Sequence, residues 1–206
     1  MDFINLESIQ LDGIREIANI GSGHSASALS QIVGHKVMIN VPEVKIIPVE
    51  KISTLWENPN EIITGILLDF LGDITGKTLL LFTKNDAKYM VDVLLGRETS
   101  DAMLFGEMEQ SSLKEIANIV VSAYLSALGT FLELMVIPSV PALVIDDAAS
   151  VLTSAYLSGD TDNIDTVFCI KTQFEFVQGE KILEGYMLFL PDTDSLKTIL
   201  KALHLD

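Results

Sequence analysis

Glu16-Ile17-Ala18-Asn19-Ile20 returns unchanged as Glu115-Ile116-Ala117-Asn118-Ile119, 99 residues further along a chain of 206. In each copy 22 residues separate the asparagine from a proline, Pro42 in the first and Pro141 in the second. An identity held at one offset, with a proline in register behind it, marks one supersecondary unit used twice. The match widens at the same offset: Ser27-Ala28-Leu29 with Ser126-Ala127-Leu128, and Val41-Pro42 with Val140-Pro141. Further on, Gly76 to Leu81 resembles Gly185 to Leu190 at an offset of 109, which predicts a ten-residue insertion in the Asp-rich stretch Ser158 to Asp165.

The hydrophobic pattern supplies the elements. Leu11, Ile14, Ile17, Ala28, Leu29 and Ile32 share one side of a helix over residues 9 to 34, with Gly21 and Gly23 available to bend it or admit another backbone. Lys36–Val41 and Val44–Val49 read as two strands, and Ile62–Phe70 and Lys77–Phe82 as a pair across a Gly72–Gly76 turn. Thr83 or Asn85 caps a helix over Asp86–Leu95 that Gly96 ends. The second half repeats the order: a helix over 107 to 134, strands at Ala142–Ile145, Thr166–Val177 and Gly185–Leu190, and a last helix capped by Asp192 or Asp194 and running to His204. The predicted fold is α/β, more strictly α+β: two α-β-β-α units (about 1–103 and 104–206) in one pseudo-twofold domain, with paired long helices packed on a β-sheet.

Composition excludes several functions. The formal net charge is −16, the wrong sign for gripping phosphate backbones or an anionic membrane. One cysteine, Cys169, permits no disulfide within the chain, and three histidines (His24, His35, His204) form no zinc motif. The start lacks a basic segment followed by an apolar run, and Ile62–Phe70 and Thr78–Phe82 are too short to span a bilayer. A cytoplasmic location is the expectation. Gly21-Ser22-Gly23-His24 lacks the lysine of a phosphate loop, and Asp146-Asp147 and Asp160–Asp165 fail the calcium-loop spacing.

The repeated polar residues remain. Asp12, Glu16 and Asn19 are spaced i, i+4, i+7 and fall within about 60° of one another on the first helix. Ser111, Glu115 and Asn118 repeat the spacing on the second. A lone glutamate on a helix is usually just solvated, and Ser112 with Glu115 also reads as a capping box. Asparagine is a poor residue inside a helix, because its side chain competes for backbone hydrogen bonds. Two of them, each three after Glu and 23 before Pro, point to function.

Asp/Ser-x-x-x-Glu-x-x-Asn with Pro 23 residues later stands complete twice, and in this the chain resembles the CheC family of chemotaxis phosphatases over nearly its whole length. The resemblance implies hydrolysis of the aspartyl phosphate on the response regulator CheY. It implies that Asn19 and Asn118 enter the regulator's active site and orient the attacking water, while Glu16 and Glu115 pair with the regulator's lysine. The chemistry suits these residue types: phosphoryl transfer depends mainly on positioning and charge stabilisation, and a neutral amide offers both a donor and an acceptor to water. Asp12 and Ser111 read as orienting or capping groups, and Pro42 and Pro141 as shaping strand entry near each helix. No cofactor bound by this chain is implied; Mg²⁺ is expected on the phosphorylated CheY. The deamidase CheD is implied as a second partner, and an internal twofold makes a monomer the expectation. The competing reading is a non-catalytic adaptor that sequesters phosphorylated CheY or CheD.

Overall fold

A computed structural model describes residues 8–97, 106–157, 166–176 and 181–202. The first half contributes α1 (Ser8–Val33), β1 (Val37–Pro48), a 3-10 helix (Val49–Leu55), β2 (Ile62–Gly72), β3 (Gly76–Thr83) and α2 (Lys84–Leu94). The second contributes α3 (Glu107–Leu132), β4 (Val136–Pro138), β5 (Ala142–Asp147), α4 (Ala148–Leu157), β6 (Thr166–Phe176), β7 (Ile182–Pro191) and α5 (Thr193–Ala202). Each unit is thus richer than α-β-β-α: between its long helix and its hairpin stand one strand and a 3-10 helix in the first unit, and two strands and α4 in the second. The predicted insertion at Ser158–Asp165, like Val177 and His204, lies outside the described residues.

The strands form one antiparallel sheet in the order β1-β6-β7-β3-β2-β4, with β5 also pairing β2. The order exchanges strands between repeats: β1 of the first half pairs β6 of the second, and β5 of the second pairs β2 of the first. The centre of the sheet is the β3–β7 pair, in which Leu79 stands opposite Leu188. Those residues are 109 apart, the offset that relates the two hairpins in the sequence. The pseudo-twofold axis therefore passes between them.

Both faces of the sheet are covered, which explains the unbroken apolar run Leu79-Leu80-Leu81-Phe82. Leu80 and Phe82 face the layer of α1, α2, α3 and α5, while Leu79 and Leu81 face the 3-10 helix and α4. On the first face, Ile14, Ala18 and Leu29 of α1 and Ile116, Val120 and Leu125 of α3 meet Phe70, Phe82 and Phe174 of the sheet. Ile32, expected on the buried side of α1, is half exposed near the helix end. α3 is long and apolar enough to cross a membrane, but half of its most apolar stretch is buried in this core.

Local expectations fare unevenly. Lys36–Val41 and Val44–Val49 are one strand, β1, interrupted by a bulge between Asn40 and Glu43, because both arms find partners on the continuous β6. The serine of the supposed capping box lies inside α3, where the Ser112 hydroxyl donates to the Met108 carbonyl at 2.9 Å; Gly106 is the N-cap instead. Of the two proposed α2 caps, Thr83 serves, its hydroxyl accepting from the Asp86 N–H at 3.0 Å. Thr83→Ala is expected to cost about 1 kcal/mol. In a chain of this size that is a fall of about 2–4 °C in melting temperature, measurable by circular dichroism. At α5 the cap is Asp192, which accepts from the Ser195 N–H at 2.7 Å and from the Thr75 hydroxyl. Asp147 plays the same part for α4 through Ser150, so Asp146-Asp147 belongs to a helix start.

Candidate functional site

α1 and α3 cross in close contact, and the crossing sets where their polar residues point. A Cβ on Gly21 would stand 2.9 Å from the Tyr124 Cα, so only glycine lets the backbones approach this closely. The neighbouring contact is the Ser25 hydroxyl donating to the Val120 carbonyl at 3.3 Å. These are twofold mates: Gly21 corresponds to Val120 and Ser25 to Tyr124 at the 99-residue offset. Going from Ser25 back to Gly21 on α1 goes from Val120 forward to Tyr124 on α3, so the helices run in opposite senses across the contact.

With Ile14, Ile17 and Ala18 turned inward, Asp12, Glu16 and Asn19 are left exposed. On α3, Ile116 and Ala117 are buried, Ser111 and Glu115 exposed, and Asn118 half-buried. Among the described residues no hydrogen bond or ion pair engages the side chains of Glu16, Asn19, Glu115 or Asn118. The crossing places Asn118 level with Ser27, eight residues from Asn19, so the two amides are about 12 Å apart along the helix pair. They form two separate sites rather than one composite site. Asp12 and Ser111 each lie five residues into their helices and cap neither, which corrects the capping half of their expected role.

The fixed spacing to proline has a geometric cause. The Ser30 hydroxyl accepts from the Val37 N–H at 2.8 Å, tying the end of α1 to the start of β1. The mates of those two residues, Gly129 and Val136, are also close: a Cβ on Gly129 would lie 3.8 Å from a Val136 methyl. From each tie the helix runs back 11 residues to the asparagine, about 16 Å, and the strand runs five residues to the proline, about 17 Å. Helix and strand thus run nearly equal lengths from the tie to the asparagine and to the proline. Pro42 lies in the β1 bulge, where Val41 and Pro42 oppose the single residue Thr172. The second half repeats the irregularity: three residues, Ser139 to Pro141, span the gap opposite Leu68 and Asp69 of β2. A residue without an N–H suits a bulge.

Neither site is a pocket. A cavity of about 50 Å³ lies beneath α1, walled by Ile14, Ile17, Tyr124, Phe168 and other apolar groups on the inward faces of the helices. It is part of the core. Among the described residues no three His, Cys, Asp or Glu side chains group to hold a metal. Buried Cys169 is pushed up to about 12 by loss of hydration, which leaves it a neutral thiol away from both sites. The arrangement consists of a carboxylate and an amide side by side on the outer face of a helix, twice. Small-molecule enzymes use concave sites.

Sequence reasoning named Glu16, Asn19, Glu115 and Asn118 and passed over two features near them. One is Val140, 87% exposed beside Pro141, which gives the second site an apolar neighbour. The other is the serine-bonded turn behind Asn19, which has no counterpart in the second repeat and so left no trace in the repeat pattern.

A family model described as the CheC-like family matches twice, at residues 9–46 and 108–145. Both matches start at the long helix and end past the proline. The chain is 29% identical over 203 residues to the CheY-P phosphatase CheC of Bacillus subtilis (strain 168), covering 98% of this chain and 97% of that one. It is 28% identical over 191 residues to the flagellar motor switch phosphatase FliY of the same organism, covering 92% of this chain and 48% of that one. Among solved structures, Thermotoga maritima FliY aligns over 98% of this chain and all of that one, at a TM-score of 0.79 and 19% identity. The FliM middle domain of H. pylori aligns over 96% and 99%, at 0.65 and 18%. At these identities the structural matches speak to the fold.

Proposed function

We propose that this chain, which the CheC-like family model matches at residues 9–46 and 108–145, is a protein phosphatase hydrolysing the aspartyl phosphate of the chemotaxis response regulator CheY. The observation that carries the reading is the duplicated Glu/Asn pair on the outer helix faces, with Glu16, Asn19 and Glu115 exposed and Asn118 half-buried, their side chains free of partners among the described residues. Such a pair has no pocket of its own. The regulator supplies the rest: the acyl phosphate, a Mg²⁺ and a lysine. What it lacks is a water held in line behind phosphorus. Asn19 or Asn118 positions that water, its carbonyl oxygen accepting from the water and its N–H₂ donating towards it or a phosphoryl oxygen. Glu16 or Glu115 forms a charge-assisted bond with the lysine and sets the register of docking. Water attacks phosphorus, the acyl–phosphate bond breaks, and the aspartate returns as a free carboxylate.

The partners of this reading are phosphorylated CheY and, by the same resemblance, CheD. The test follows decay of acetyl-phosphate-labelled CheY with and without this protein. Faster decay at substoichiometric protein supports the enzyme. Stoichiometric binding of the labelled regulator with unchanged decay would overturn it in favour of an adaptor.

A further inference from the structure

The two sites are equivalent in motif but not in what stands behind them. After Asn19, α1 carries Gly21, Ser22 and Gly23; after Asn118, α3 carries Val120, Val121 and Ser122. Two helical glycines weaken the turn that carries the first amide. A Cβ at Gly23 would meet nothing within 4 Å, so of the two glycines only Gly21 is held by packing from outside, against Tyr124. The serine between them is only 4% exposed, and its hydroxyl donates to the Asn19 carbonyl at 2.8 Å. That carbonyl belongs to the same residue whose amide forms the site.

A second polar group stands nearby. Tyr124 of α3, 4% exposed, packs its ring on Gly21 and lies against Ser22, yet its buried hydroxyl makes no hydrogen bond among the described residues. Burial holds the phenol well above its ordinary range, with the neighbouring Ser22 acting weakly the other way, so it stays a proton donor. The twofold mate of Ser22 is Val121, which offers neither donor nor acceptor. The device exists on one side of the axis only.

Resting on the proposed phosphatase reading, we propose that Ser22 is a positioning residue for Asn19, holding the glycine-flanked turn so that the amide keeps one orientation, with Tyr124 bracing the turn from the crossing helix. Serine hydroxyls bonded to the preceding turn bend helices. Here the bond falls on the carbonyl of the functional residue, so the bend and the amide's aim are coupled. The first site depends on a side-chain brace, and the second on the stiffness of valine-rich helix. Loss of the brace should therefore act on turnover at the first site alone, because docking through Glu16 is unaffected.

The experiment uses acetyl-phosphate-labelled CheY and the full chain in two backgrounds. In Asn118→Ala, where only the first site works, Ser22→Ala should lower kcat about tenfold with KM unchanged, the scale expected of a misaligned positioning group. Ser22→Thr, which keeps the hydroxyl, should restore most of it. In Asn19→Ala, where only the second site works, Ser22→Ala should change nothing. Equal losses in both backgrounds would mean a merely structural role and overturn the assignment. Activity in Asn118→Ala that is indifferent to Ser22→Ala would overturn it alone. An Asn118→Ala protein with no activity to lose, beside an active Asn19→Ala protein, would overturn both it and the phosphatase role of the first site.

Discussion

Asn19→Ala and Asn118→Ala together are expected to return phosphorylated CheY to its own rate of decay. One well-placed group that orients a reacting water contributes on the order of 10²-fold or more, about 3 kcal/mol of barrier. In the proposed mechanism the regulator would supply metal and lysine, and this chain chiefly the amide. Removing the amide from both sites would remove the acceptor and donor proposed to hold the water, and alanine offers nothing in their place. Each single variant keeps one complete site, because the amides stand apart on opposite arms of the helix pair. The singles should therefore retain the activity of the surviving site, and their sum should approach that of the parent. Glu16→Gln with Glu115→Gln should act differently: the lysine contact is lost from docking, so KM rises. Phosphate release from labelled CheY checks all of this. A double asparagine variant that still accelerates decay would remove the water-positioning mechanism.

Gly76→Ala is expected to destabilise the fold by about 3 kcal/mol or more, a fall of about 6–12 °C in melting temperature for a chain this size. Two effects combine. The residue has φ +156°, which side chains rarely adopt, and a Cβ there would lie 2.3 Å from the Leu190 carbonyl oxygen and 2.8 Å from the Pro191 Cα. Those atoms belong to β7 across the central strand pair, so relief requires the two repeats to move apart at their axis. The mate, Gly185, is confined in the same way by the Leu81 carbonyl oxygen at 2.9 Å and by the Phe82 ring. Gly185 is not among the positive-φ glycines and its backbone neighbour is farther away, so Gly185→Ala should cost less. Thermal melts of the two variants, compared with the parent, check the order. A Gly76→Ala protein as stable as the parent would show that the central pair is looser than its register implies.

Much of the fold was legible because it rests on local signals. Helix periodicity located α1 and α3, a threonine and a glycine bounded α2, and apolar runs located β2, β3, β6 and β7. The failures share a cause. β1 read as two strands because Val41-Pro42 breaks the pattern locally, whereas the continuous partner β6 lets the chain resume after a bulge. α4 and the 3-10 helix were missed because they are short and have little periodicity of their own; their apolar residues are helical because they cover Leu79, Leu81 and Leu188 on the far face of the sheet. Ser112 matched a capping box by spacing, but the helix starts five residues earlier.

For the site, sequence alone determined that the same glutamate, asparagine and proline occur twice at the same spacing, and that the Glu/Asn pair lies away from the apolar face of its helix. Those facts follow from residue order and the helical step, both one-dimensional. Tertiary structure decided that β1 and β5 exchange between repeats, that Gly21 lets the two helices touch, that each proline lies at a break in strand pairing, and that Ser22, buried beneath the crossing, bonds the Asn19 carbonyl. Each of these depends on which distant backbone lies within a few ångströms of which residue, and contact at that range is set by the packing of the whole chain.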